Sequence, residues 1–175
     1  MIERQPDTPP DYAMGERIEA EQQLSSGVSW FYWIAALSLI NTLISFTGSQ
    51  WGFGLGLGIT QLFDAIAGEL EGGLKFIPIV MSLTATAAFA VFGFLGNKQQ
   101  TWAILLGMVL YLLDGLLLVL LAVFFGGLPI ISLLIHAYAL YQLFMGFSAC
   151  RRLKELGTET MSSSFQSPPP PPQSF

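Results

Sequence analysis

Apolar residues fall into four long runs along the chain, at 29–47, 74–95, 102–125 and 128–151, separated by short polar or glycine-rich stretches. A helix needs roughly 20 such residues to cross about 30 Å of hydrocarbon. The pattern therefore predicts an all-α membrane protein, with four transmembrane helices in an antiparallel bundle. Pro78 lies in the first turns of the second run, where a missing N–H costs little. Only Gly126 and Gly127 part the third run from the fourth, and Pro129 opens the next helix, which predicts a tight helical hairpin.

A fifth stretch, 51–70, nearly reaches spanning length, but Gln61, Asp64 and Glu69 interrupt its second half. Wound as a helix, it gathers Trp51, Leu55, Ile59, Leu62 and Ile66 into one apolar stripe. Gly52, Gly56, Thr60 and Asp64 lie away from that stripe. Such a pattern predicts an interfacial amphipathic helix on the outer side of the membrane, or a re-entrant piece.

Composition agrees with lipid as the solvent. Apolar residues make up 53% of the chain and charged residues 11%, where soluble domains carry about 25% charged residues. Lysine and arginine set the orientation. With four spans, Arg4, Arg17, Lys98, Arg151, Arg152 and Lys154 share one side and Lys75 stands alone on the other. Both termini are thus expected in the cytoplasm, and the aromatic cluster Trp30–Trp33 at the inner interface. A fifth span would carry 151–154 across, against the same rule.

The two ends differ from the middle. Residues 1–28 form an acidic cytoplasmic segment, with Glu3, Asp7, Asp11, Glu16, Glu19 and Glu21 against Arg4 and Arg17. Good helix formers at 15–24 allow a helix there. An acidic head without a basic stripe argues against nucleic acid as a partner, and against a polybasic lipid anchor. Residues 152–175 read as a cytoplasmic Ser/Pro-rich tail. Its five prolines, 168–172, favour an extended rod that either docks into an aromatic groove or stays solvated. No basic stretch directly precedes the first apolar run and no A-x-A site follows it, so a cleaved signal peptide is not expected.

Polar residues inside the spans are the candidate functional groups. Asp114 sits near the middle of the third run, where insertion of a charge costs ~2.5–3.5 kcal/mol and function is the default hypothesis. Its possible partners on the fourth run are His136, Tyr138 and Tyr141. At 1.5 Å per residue, counted from the loop, His136 and Asp114 differ in level by ~6 Å. Tyr138 and Tyr141 bracket Asp114 more closely, so a tyrosine is the expected direct contact and a His136 link the expected water-bridged one. Together, Asp114 and His136 would make a proton relay or ion site; alone, Asp114 would fix helix packing. Asn41 could extend a polar path.

Small and hydroxyl residues supply the expected packing faces. Ser38, Asn41, Thr42 and Ser45 share one face of the first span; Ser82, Thr86, Ala90 and Gly93 share one face of the second. Ser132, His136, Ala139, Gly146 and Cys150 line the fourth. Such residues let membrane helices approach and hydrogen-bond, at about 0.6 kcal/mol per bond.

Catalytic signatures are missing. The alternating glycines at 52–58 lack the strand–turn–helix setting of a phosphate loop. One histidine and one cysteine are too few for a zinc site, and one cysteine forms no internal disulfide. No metal, no cofactor and no enzyme activity are expected.

The segments "SLINTLISF" (38–46), "GLGITQLFDAIA" (56–67), "YLLDGLLLVLL" (111–121) and "HAYALYQLFMGFSACRRLKEL" (136–156) resemble a group of small bacterial four-helix inner-membrane proteins. The resemblance covers the membrane portion but neither end. It implies a bacterial inner-membrane location and this helix layout, and no activity. The leading expectation is a structural or accessory protein that works through helix contacts with itself or a larger membrane complex. The alternative is a small transporter or an ion or proton conduit using Asp114 and His136.

Overall fold

The computed structural model describes residues 10–46, 57–70, 72–125 and 130–166. Among these, every regular element is helical: α1 (Pro10–Phe46), α2 (Gly58–Glu69), a 3₁₀ turn (Gly72–Lys75), α3 (Phe76–Asn97), α4 (Thr101–Phe125) and α5 (Ile130–Gln166). Four segments, Met14–Ile44, Gly72–Asn97, Thr101–Phe124 and Ile130–Thr158, are long and apolar enough to cross a membrane. Each overlaps one of the four apolar runs.

Burial is inverted relative to a water-soluble bundle. Leu105, Leu106, Leu112, Leu113, Leu116 and Leu120 of α4 are exposed, while Ser38, Thr42, Ser82, Asp114 and His136 are buried. In water that arrangement would leave apolar surface wet and polar groups dry, both unfavourable. In lipid the apolar surface costs nothing and the polar groups need partners from within the protein. The inversion is compatible with an integral membrane protein.

One stripe of α1 runs unbroken from its polar head into the apolar span: Ala20, Leu24, Val28, Phe31, Ile34 and Ala35 are all buried. The spacing of three or four residues keeps them on one face. Against it lie Ala149, Cys150 and Leu153 of α5, in the same core cluster. α1 and α5 meet at Glu16–Arg152 (2.8 Å) and at Trp30–Tyr138 (ring centroids 5.1 Å). A Cβ on Gly27 would lie 2.5 Å from the Gly146 Cα, so the two glycines let the backbones touch. The residue numbers of the two helices thus run in opposite directions. α3 approaches α1 in the same opposed sense, through Gly93 under the Tyr32 ring and Gly96 against Val28.

The ends are more helical than expected. α1 begins at Pro10 and α5 continues to Gln166, so the helix at 15–24 is part of a longer one. Packing of Leu153 near the Ala20–Leu24 face extends the α1–α5 contact beyond the apolar runs. The prolines at 168–172, the Gly126–Gly127 hairpin with Pro129, and 51–56 lie outside the described residues. So does the Ser45 side chain, although its backbone belongs to α1.

The link from α3 to α4 is a Schellman close. Gln100 N–H donates to the Leu95 carbonyl (3.1 Å) and Gln99 N–H to that of Gly96 (2.8 Å). Gln99 takes the left-handed conformation (φ 57°) that this motif requires and that glycine occupies most cheaply.

Candidate functional site

α2 packs against α1, α3 and α4, and its N-terminus reaches Asp114, fourteenth of the 25 residues of α4. Its first residue is a glycine for a steric reason. A Cβ on Gly58 would lie 2.7 Å from Leu118 Cγ and 3.4 Å from the Asp114 carbonyl oxygen.

A helix N-terminus leaves N–H groups without intrahelical acceptors. Leu57, at the cap position, supplies no side-chain bond of its own. Acceptors come from two other helices instead. The Leu57 N–H donates to Ser38 Oγ (2.8 Å), the Gly58 N–H to Asp114 Oδ2 (2.7 Å) and the Ile59 N–H to Asp114 Oδ1 (2.8 Å). One carboxylate from α4 therefore spans two donors at the positive end of the α2 dipole, a favourable place for an anion.

His136 completes the centre. Its Nε2 lies 3.1 Å from Asp114 Oδ2 and its Nδ1 lies 3.1 Å from the Ser132 carbonyl oxygen. A carbonyl only accepts, so Nδ1 carries a proton. His136 thus ties the Asp114 carboxyl of α4 to the Ser132 backbone of α5. Tyr111, fully buried, stacks on the imidazole at 4.5 Å with 10° between the ring planes and fixes the ring's orientation.

One turn and a half along α2, Asp64 makes a second polar centre. Thr42 Oγ1 donates to its Oδ2 (3.1 Å) and Ser82 Oγ lies 2.9 Å from its Oδ1. The Ser82 hydroxyl also lies 3.2 Å from the Thr60 carbonyl. Thus Thr60 and Asp64 face inward while Ile66 is exposed. Beside Asp114, a cavity of about 320 Å³ between α2, α3 and α4 is lined by Leu57, Ala85, Phe89 and Leu113 among others.

Several expectations meet this geometry. Asp114 and His136 touch directly, and neither Tyr138 nor Tyr141 reaches Asp114; both tyrosines are more than half exposed. The correction has two causes. Tyr138 and Tyr141 lie about 200° and 140° around the helix from His136, at 100° per residue, so they cannot share its inward face. The level estimate also compared backbone heights alone, whereas the two side chains meet at 3.1 Å. Tyr138 instead accepts a hydrogen bond from Gln142 (2.8 Å) and meets the edge of Trp30.

Ser38, Asn41 and Thr42 of α1 and Ser82, Thr86 and Gly93 of α3 are buried. Ser38, Thr42 and Ser82 do more than pack, since they bond to α2. Asn41 is buried one residue from Thr42. Reasoning from sequence missed Tyr111 and the α2 backbone donors. Tyr111 could have been found from its place three residues before Asp114, on the same helix face.

Among the described residues, no group of three or more His, Cys, Asp or Glu side chains could hold a metal ion. No protein-family model, no curated protein and no solved structure matches the chain.

Proposed function

We propose that this chain is a multi-pass protein of a bacterial inner membrane, an antiparallel four-helix bundle with both termini in the cytoplasm, in which α2 is a re-entrant half-helix. It acts as a structural or accessory subunit through helix contacts with itself or a larger membrane assembly. Lipid is its solvent and nucleic acid is not a partner. The observation that carries this reading is how Asp114 is spent. Both of its oxygens accept from the α2 backbone and one also meets His136. A carboxylate so occupied holds a helix in place. The six-to-one distribution of lysine and arginine supports the orientation.

One observation favours a second reading, a proton or ion conduit. Asp114 meets His136 at 3.1 Å and itself lines a cavity. Substituting Asp114→Asn separates the two readings. The structural role predicts a protein that extracts poorly or loses its assembly state, measured by size-exclusion chromatography in mild detergent. The conduit predicts intact assembly with flux abolished in proteoliposomes. Mass spectrometry of proteins that co-purify with the wild type would then identify the assembly.

A further inference from the structure

At the end of the bundle that carries both termini, a groove of about 670 Å³ opens between α4 and α5. Its wall is one face of α5, with Phe147, Arg151, Lys154, Glu155 and Thr158, completed by Thr101, the first residue of α4. Among the described residues, the other arginines are committed: Arg17 pairs with Glu21 (3.1 Å) and Arg152 with Glu16 (2.8 Å). Arg151 and Lys154 take part in no ion pair there, although the chain as a whole carries a net charge of −5. Two exposed cations thus face one groove and leave the surrounding acids to others.

We propose that this groove binds the anionic phosphodiester headgroup of a glycerophospholipid. The inference goes beyond the proposed function and rests only on its membrane assignment. Three features argue for it. The charge matches: two cations and the single carboxylate of Glu155 leave one net positive charge, which suits a phosphodiester monoanion better than a doubly charged phosphomonoester. The donors suit phosphate oxygens, because Arg151 offers a planar fork and Lys154 a point charge. The first N–H groups of α4, beside Thr101, add the positive end of a helix dipole.

The position also selects a lipid over a soluble anion. Phe147 lines the groove on its apolar side, and Phe144, one turn deeper, is exposed where an acyl chain would lie. Trp102 is exposed at the same level, as aromatic side chains at a membrane interface are. The headgroup would sit between the cations while its chains follow the outer face of α5.

The test uses the full chain purified in detergent and native mass spectrometry. Phosphatidylglycerol should be retained where diacylglycerol is not. The double variant Arg151→Gln, Lys154→Gln should lose that retention by ~10-fold, the loss expected when charged hydrogen-bond partners are removed. Arg152→Gln, which alters only an exposed pair with Glu16, should retain lipid as the wild type does. All three sites are exposed, and an unchanged elution profile confirms that the variants are folded. Equal retention by the double variant, or equal retention of diacylglycerol, overturns the proposal. Displacement of the lipid by millimolar inorganic phosphate overturns it too, because the groove would then serve a soluble anion. Carbonate extraction of cell membranes reads the membrane assignment separately: a chain released by carbonate fails that assignment, whatever the lipid result.

Discussion

The two halves of the bundle are held together by different physics. Towards the termini, α1, α3 and α5 meet through small residues: Gly27 on Gly146, Gly93 beneath Tyr32, Gly96 against Val28. Contact there is dense and apolar, with the rings of Phe31, Phe89 and Phe92 meeting tilted or edge-on at centroid distances near 6 Å. At the far end α2 enters the bundle, and directional bonds from Ser38, Thr42, Ser82 and Asp114 hold it. In lipid, the usual driving force for burying leucine would be absent. What remains is close backbone approach in one half and the obligation to satisfy polar groups in the other.

The largest break should come from the polar half. Asp114→Leu strips acceptors from the Gly58 and Ile59 N–H groups and leaves His136 without its partner. Breaking a buried pair costs about 3–5 kcal/mol. A fall in the thermal midpoint in detergent micelles is expected, with new protease cleavage within or beside α2. A midpoint close to wild type would show that α2 does not depend on this carboxylate.

The apolar half breaks by a different route. In Gly27→Ala, the new methyl meets backbone atoms of Gln142 and Gly146 at 2.5–2.7 Å, which no side-chain rotation relieves. Overpacking of this kind costs about 1–3 kcal/mol. Gly115→Ala sharpens the contrast, because its nearest neighbour is His136 Cδ2 at 3.4 Å. It should be neutral or slightly stabilising in the same melt, and equal loss in both variants would refute the close-approach account.

The smallest effect has the opposite sign. Gln99→Gly relieves a left-handed residue in the α3–α4 link, and a gain of about 0.5 kcal/mol is expected. A loss would mean that the Gln99 side chain contributes more than its backbone costs.

Much of the layout was legible in the sequence because lipid makes apolar run length a direct signal. The stripe of Ser38, Asn41 and Thr42 was legible too, since a period near four residues forces them onto one face. The pose of α2 was not. Its acceptors come from residues 19 and 56 positions away, and its donors are backbone N–H groups that no residue type reveals. The same limit applies to His136 and Asp114. Their contact depends on how the two helices are turned toward each other and how far the side chains reach, which counting from a loop does not show. The continuity of α1 was half visible: 15–24 favours a helix, but only the run of Ala20, Leu24, Val28 and Phe31 shows that it shares one packing face with the span.

The clamp on α2 also imposes an order on biosynthesis. Ribosomes add ~5–20 residues per second, so Asp114 emerges several seconds after the helix end it will cap. Ser38 is already present when Leu57 is made, and Ser82 follows, but the carboxylate and then His136 arrive later still. Until then the opening turn of α2 has one acceptor in place and two donors waiting. The opening turn of α2 can therefore complete its bonds only after α4 has been made. α5 then brings His136 to the carboxylate that already holds α2.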